Sequence, residues 1–124
     1  MHLTKAEEQI MKYLWKLEKA YLKNILNQFP EPKPATTTIA TLLKRMIDKQ
    51  YVGFNQHGSN REYFPLISKE KYTKGFMSGI IKNYFSDSYK NMFSFFSKNE
   101  NLSTKEIEEI ISILQEQLES QKKK

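Results

Sequence analysis

The stretch from Pro34 to Lys49, PATTTIATLLKRMIDK, constrains the fold of this chain more than any other. A proline opens it, and three consecutive threonines lead into a helical pattern. Apolar residues then recur at three- and four-residue steps, which places them on one face of a helix. These residues are Ile39, Leu42, Leu43, Met46 and Ile47. The stretch therefore predicts an amphipathic helix that ends near Gln50.

The opposite face of this predicted helix is polar and cationic. It carries Thr37, Thr38, Thr41, Lys44 and Arg45. Short hydroxyl side chains can reach the edges of DNA bases, and cations neutralise phosphates. The pattern fits a recognition helix, and it also fits an ordinary amphipathic helix with a solvated polar face. The flanking elements favour the recognition helix.

Two helices are predicted before this stretch. Thr4 and Glu7 have the spacing of a capping box, which begins a first helix that ends near Glu18. A second, shorter helix is predicted from Tyr21 to Phe29. The prolines of the segment FPEPKPA then enforce an extended turn before the third helix.

A β-hairpin is predicted after the third helix. Two short strand-like runs, Tyr51–Asn55 and Arg61–Pro65, flank a polar tip that contains a glycine. Three helices followed by a hairpin are the order of a winged helix, a helix-turn-helix variant whose third helix enters the major groove. The hairpin, with Arg61 at its base, would be a wing that lies on the DNA backbone or in the minor groove.

Three further helices are predicted after Pro65, over Ser68–Phe85, Tyr89–Phe96 and from the capping box at Ser103 to about Ser120. In the last of these, apolar residues alternate at four- and three-residue steps, as in a coiled coil. Three helices with this much apolar surface favour an interface between two chains. The alternative is that they pack against the N-terminal half of the same chain. The residues expected to form the dimer are Tyr72, Phe76, Ile80, Phe93, Phe96, Ile107, Ile111, Leu114 and Leu118.

The predicted fold is thus mostly α with a small β-hairpin. A winged-helix DNA-binding domain is expected over residues 1–67, and a three-helix dimerisation domain over residues 68–124.

Composition bounds the function. The net charge of +6 suits a polyanionic partner, and residues 1–66 hold ten Lys and Arg against six Asp and Glu. The absence of cysteine excludes disulfides and thiolate metal sites, and the two histidines have no ligand set around them, so neither a metal nor a cofactor is expected. No phosphate-binding glycine loop or nucleophile motif suggests an enzyme. No apolar run approaches the roughly 20 residues of a membrane span, so the expected location is the cytoplasm.

Four segments in order resemble the BlaI/MecI/CopY family of bacterial repressors, also called penicillinase-repressor-like proteins. They are LTKAEEQIMKYLW, TTTIATLLKRMIDKQYV, REYFPLISKEKY and NLSTKEIEEIISIL. The resemblance implies a dimeric winged-helix repressor of a dyad operator in the promoter of resistance or stress genes. It assigns base contacts to Thr37, Thr38 and Thr41. Arg45, His57, Asn60 and Arg61 would support them on the backbone.

The chain also departs from the family. The antibiotic-resistance repressors carry a lysine at the position of Thr37. In the β-lactam branch a membrane sensor protease leads to cleavage of an Asn–Phe bond, whereas the matching bond here is Phe95–Phe96. The copper branch uses a C-terminal cysteine motif, and this chain has no cysteine. The inducer and the regulated genes therefore stay open.

A second function remains compatible with the sequence. Winged helices also serve as protein-interaction modules that read no DNA, and the charge excess of this chain is modest. A partner whose binding is insensitive to salt would favour that alternative.

Overall fold

The structure, a computed structural model, describes residues 2–124. Within that range it contains six helices and three strands, which are α1 (Lys5–Leu17), β1 (Ala20–Tyr21), α2 (Leu22–Gln28), α3 (Thr36–Asp48), β2 (Val52–His57), β3 (Asn60–Pro65), α4 (Lys69–Tyr84), α5 (Tyr89–Asn99) and α6 (Thr104–Lys122). The order of a winged helix-turn-helix followed by three helices confirms the predicted fold class. None of the helices in the described range is both long and apolar enough to cross a membrane.

Capping boxes begin the first and the last helix, as the sequence predicts. At α1 the Thr4 hydroxyl accepts from the Glu7 backbone N–H at 3.2 Å, and Glu7 Oε1 accepts from the Thr4 N–H at 2.8 Å. Ser103 and Glu106 form the same reciprocal pair at α6. These bonds satisfy backbone donors that a helix cannot satisfy internally, and so they fix where each helix starts.

The sheet has one strand more than the predicted hairpin. β1 pairs antiparallel with β3, which in turn pairs with β2, giving the order β1-β3-β2. In β1, the side chain of Ala20 is buried opposite Tyr63. A strand of two residues has no periodicity to read, so its existence depends on pairing with a segment far along the chain.

The wing is longer and its tip tighter than the sequence suggests. The ladder between β2 and β3 continues to the pair His57 and Asn60, leaving only Gly58 and Ser59 in the turn. Gly58 has a φ of +62°, which lies in the left-handed region that glycine adopts without steric cost.

One hydrophobic core lies among the first three helices and the sheet. Its most buried members are Ile10, Met11 and Leu14 of α1, Ile25 of α2, Ile39, Leu43 and Met46 of α3, and Val52 of β2. The inward residues follow the three- and four-residue steps of the sequence pattern. The core therefore holds α3 by one face and leaves its other face outward.

The chain divides into two compact units, the first running up to Phe76 and the second covering Met77–Lys124. The start of α4 belongs to the first unit. There the Tyr72 ring lies 5.7 Å from that of Trp15, and the Tyr72 hydroxyl donates to Glu8 Oε2 at 2.5 Å. The Trp15 indole N–H also donates to the Ile67 carbonyl at 2.9 Å, so α1 anchors the whole segment that leads into α4.

The second unit contains the end of α4 together with α5 and α6. Ile81 and Met92 are its buried apolar side chains in the described range, and α6 buries no residue at all. Large apolar side chains are exposed along both α5 and α6. This unit therefore presents apolar surface that its own core does not use.

Candidate nucleic-acid interface

The outward face of α3 carries the polar residues that the sequence pattern places there. Ile39, Leu43 and Met46 are at most 1% exposed and fasten the helix to the core. The residues left exposed on the other side are Thr37, Thr38, Thr41, Lys44 and Arg45. Hydroxyls toward the start of the helix and two cations farther along it form one continuous polar surface.

One of these hydroxyls is already engaged within the helix. Thr41 Oγ1 donates to the Thr37 backbone carbonyl at 2.9 Å. The hydroxyl proton is used in this bond, so the Thr41 oxygen faces a ligand as an acceptor and its methyl group as an apolar contact. Such a group can accept from an adenine or cytosine amino group or pack against a thymine methyl.

An ion pair fixes the end of α3. Lys49 follows the last residue of the helix, and its Nζ donates to Glu7 Oε1 at 2.8 Å and to the His2 carbonyl at 3.2 Å. The Glu7 side chain is only 1% exposed, whereas the Lys49 side chain is 28% exposed. The pair thus ties the C-terminal end of α3 to the first turn of α1, and the sequence pattern gave Glu7 only its capping role.

The pKa of Glu7 reflects this environment. Burial alone raises the pKa of the carboxyl, but the hydrogen bonds from Lys49 and from Thr4 outweigh burial and leave the pKa below its usual range. The other oxygen, Oε2, is buried without a hydrogen-bond partner in the described part of the chain. The carboxylate is therefore charged at neutral pH and depends on Lys49 for its compensation.

Arg61 lies on the inner face of the wing. Strand alternation places it on the same side of the sheet as its cross-strand partner Gln56 and the core residue Tyr63. Its guanidinium carbon lies 4.2 Å above the centre of the Phe54 ring. The ring covers one face of the guanidinium, and the planar N–H edge stays available for an anion.

His57 lies on the outer face of the same wing. Its Nε2 is 3.3 Å from Glu62 Oε1, and its ring meets that of Tyr21 at 6.3 Å. The three wing residues singled out by the sequence are therefore not one cluster, because Arg61 faces inward and His57 faces outward. Asn60 closes the ladder at the tip.

A cleft of about 710 Å³ opens between α2, the first residue of α3 and the wing. Its polar lining comes from Lys23, Asn24, Thr36, Ser59, Asn60 and Arg61. Lys23 and Asn24 were not among the residues that sequence reasoning selected. In the sequence they are two polar residues of a short predicted helix and nothing more. Their place in the cleft becomes visible only in the fold, which brings them opposite the wing.

The residues expected to form a dimer are divided between the two units. Phe93, Phe96, Ile107 and Ile111 line one apolar groove of about 520 Å³ in the second unit. Leu114 and Leu118 continue along α6 and are 48% and 45% exposed. Ile80 is half-buried in the same unit.

The other two residues of that set, Tyr72 and Phe76, lie in the first unit and stack on each other at 6.5 Å. Tyr72 also packs against the winged-helix core, which is an intramolecular role that its spacing did not reveal.

Among residues 2–124 no group of three or more His, Cys, Asp or Glu side chains is arranged to hold a metal ion. A comparison with known protein families shows which family this chain belongs to. The Penicillinase repressor family matches residues 3–116, which is nearly the whole chain. The chain belongs to the penicillinase repressor family.

Two relatives match about nine-tenths of this chain, and one solved structure matches about half of it. The penicillinase repressor of Bacillus licheniformis is 25% identical over 115 residues, covering 92% of this chain and 90% of that protein. The methicillin resistance regulatory protein MecI of Staphylococcus aureus is 28% identical over 117 residues, covering 90% and 92%. A solved CopR repressor is 29% identical over 55% of this chain and all of that one, with a TM-score of 0.46.

As a member of the penicillinase repressor family, this chain is a transcriptional repressor and not an enzyme. The winged helix is the DNA-binding part of such a repressor. The polar face of α3, the wing and the cleft between them are the features of this repressor that can meet DNA.

Proposed function

We propose that this repressor acts in the cytoplasm as a homodimer on a dyad-symmetric operator in the promoter of a resistance or stress gene. Each protomer would insert α3 into the major groove and rest its wing on the flanking backbone. The observation that carries this proposal is the α3 surface, where the core holds one face and the other exposes three hydroxyls and two cations.

The bases would be read by Thr37, Thr38 and Thr41. Hydroxyls are versatile readers because each can donate to or accept from a base edge. The hydrogen bond from Thr41 to the Thr37 carbonyl gives Thr41 an acceptor character, so adenine or cytosine amino groups are its expected partners.

The backbone would be held by Lys44 and Arg45 at the groove edge and by His57, Asn60 and Arg61 on the wing. Contacts of this kind fix register and add affinity without reading sequence. The excess of cations in residues 1–66, ten against six acidic residues, supports the role.

The second unit would join the protomers. The α6 seam of Ile107, Ile111, Leu114 and Leu118 is between 42% and 59% exposed, and Phe93 and Phe96 of α5 are 45% and 42% exposed. A helix with a heptad-like seam and no buried residue gains stability by packing against a second copy. A two-fold dimer also matches a dyad operator.

A membrane sensor protease is the proposed inactivating partner, by analogy with the β-lactam branch. Phe95 and Phe96 lie inside α5 with about half of each side chain exposed. Cleavage between them would divide α5 and so detach its last residues and the α6 seam from the DNA-binding unit. The helical backbone must open locally before a protease can reach this bond.

The test is binding to a duplex taken from upstream of the gene that encodes the chain, titrated with salt and compared with a scrambled duplex. A repressor of this kind should prefer its own site by at least about 1,000-fold and lose affinity steeply with salt. Thr38→Ala should weaken the specific complex by about 1–3 kcal/mol and leave the scrambled duplex unaffected. Thr104→Ala, an exposed threonine in the second unit, is the matched control.

Equal loss in both threonine variants, or none in either, would contradict base reading by α3. A chain that binds no duplex at low salt would instead favour the protein-interaction module.

A further inference from the structure

The cleft between α2 and the wing has two cationic rims and no acidic residue in its lining. Lys23 contributes one rim from α2, and Arg61 contributes the other from the inner face of the wing. Within residues 2–124 neither side chain takes part in an ion pair. Two cations without an acidic partner on facing elements create a positive electrostatic potential in the cleft. This potential favours the binding of an anion.

The remaining polar groups of the cleft can all donate hydrogen bonds. Asn24 Oδ1 accepts from the Tyr21 backbone N–H at 2.9 Å, so the amide oxygen is occupied and its NH₂ group is left for a ligand. Thr36 and Ser59 add hydroxyls at the foot of α3 and at the wing tip. Phosphate oxygens are pure acceptors and match such a lining.

The position of the cleft selects a nucleic-acid strand over a small anion. Thr36 lines the cleft and is the first residue of α3, directly before the proposed base readers Thr37 and Thr38. The cleft is open to solvent, and Tyr21 and Leu22 provide apolar wall against which a deoxyribose can pack. A strand leaving the major groove beside α3 therefore meets the cleft next.

We propose that this cleft binds the phosphodiester backbone of one operator strand, with Lys23 and Arg61 closing on that strand from α2 and from the wing. The inference rests on the proposed function and deepens it by adding Lys23 and Asn24 to the DNA contacts. Phe54 supports Arg61 in this role, because its ring covers one face of the guanidinium and leaves the N–H edge available for a phosphate.

The experiment measures the full chain on the duplex from upstream of its own gene and on the scrambled duplex across a salt series. Lys23→Gln should lower the slope of log binding constant against log salt by about 0.9 per protomer. It should weaken both duplexes by the same factor, because phosphates carry no sequence information. Lys12→Gln, an exposed lysine of α1 outside the cleft, is the control and should keep the wild-type slope.

A second arm locates the contact. Methylphosphonates replace single phosphates of the same duplex and remove one backbone charge at a time. At one position per half-site the substitution should weaken the wild type but add nothing to the loss in Lys23→Gln. The position that couples to Arg61→Gln should be a neighbour on the same strand.

Two results would contradict the proposed role of the cleft but not specific DNA binding. They are coupled phosphate positions on opposite strands, or a salt slope for Lys23→Gln equal to that of Lys12→Gln. No binding of wild type to either duplex would overturn the proposed function and the cleft together.

Discussion

At the scale of single residues, the Glu7–Lys49 pair shows how a helix cap also positions α3, the proposed recognition helix. Glu7 bonds back to Thr4 as the sequence predicts, but its carboxylate is almost fully buried and accepts from Lys49 at the end of α3. Removing one partner of such a pair leaves an uncompensated buried charge. The pair therefore links the stability of the fold to the placement of α3.

This linkage predicts a pH dependence. The pKa of Glu7 is lowered in the folded state, so near the usual carboxyl pKa of about 4.3 the unfolded chain binds more protons than the folded one. The contribution of Glu7 is present above that value and disappears as pH falls through the folded pKa. The free energy of unfolding, from urea titrations over a pH series, should thus differ between wild type and Glu7→Gln by about 1–3 kcal/mol at neutral pH and converge in acid.

Two further variants separate pairing from general charge effects. Lys49→Met strands the carboxylate and should cost about 3 kcal/mol, more than Glu7→Gln, because the charge stays and its partner is lost. Glu109→Gln removes an exposed carboxylate of α6 that lies outside this pair and should change the free energy of unfolding little at neutral pH. A constant offset between wild type and Glu7→Gln at every pH would contradict the pKa shift.

At the scale of elements, α4 is fastened to α1 by one tyrosine. Tyr72→Phe keeps the ring beside Trp15 and removes the hydroxyl that donates to Glu8, so it should lower the free energy of unfolding by about 1–2 kcal/mol at neutral pH. Burial and the Glu8 carboxylate raise the pKa of Tyr72, so this stabilisation is complete below the usual tyrosine pKa of about 10 and is lost progressively as pH rises from there through the raised pKa of the folded state. Wild type and variant should therefore converge in alkaline urea titrations.

Tyr84→Phe is the matched control, because Tyr84 lies on the same helix and is 78% exposed. It should change the free energy of unfolding little at neutral pH. If both variants lost the same amount, the hydrogen bond to Glu8 would not be the source of the effect.

The elements that sequence alone could predict are those whose signals are local. Capping boxes at Thr4 and Ser103 and the apolar steps of α3 carry their structure within a few residues. β1 could not be predicted, because Ala20 and Tyr21 form a strand only by pairing with β3, some forty residues later. Spacing also could not separate the intramolecular contacts of Tyr72 from an interface, since both require an apolar helical face.

The candidate site divides in the same way. The polar face of α3 follows from helical periodicity and could be read from Thr37 to Arg45. The cleft could not, because Lys23 and Arg61 are brought to it by α2 and by the register of the wing, which is set by long-range pairing. Even within the wing, the predicted hairpin did not reveal that Arg61 and His57 lie on opposite faces, because the ladder extends closer to the tip than the sequence suggests.

At the scale of the whole molecule, the distribution of apolar surface argues for assembly. The first unit encloses its core, while the second exposes several aromatic and aliphatic side chains along α5 and α6. Contiguous exposed apolar surface of this kind marks an interaction site. Since one winged helix reads one half-site, pairing two protomers through the second unit would double the contacts with a dyad operator.

Charges placed in the α6 seam should therefore separate the protomers. Ile111→Glu with Leu114→Glu puts two carboxylates where apolar side chains 59% and 48% exposed would meet a second copy. Sedimentation should show a monomer, and binding to the dyad duplex should fall to that of a single half-site. The first unit should keep its fold, because neither residue belongs to its core.

Ser112→Glu with Ser120→Glu adds the same two charges on the opposite face of α6 and should remain dimeric. If the seam variant sedimented as a dimer, the protomers would have to meet elsewhere, and the exposed face of α6 would need another partner.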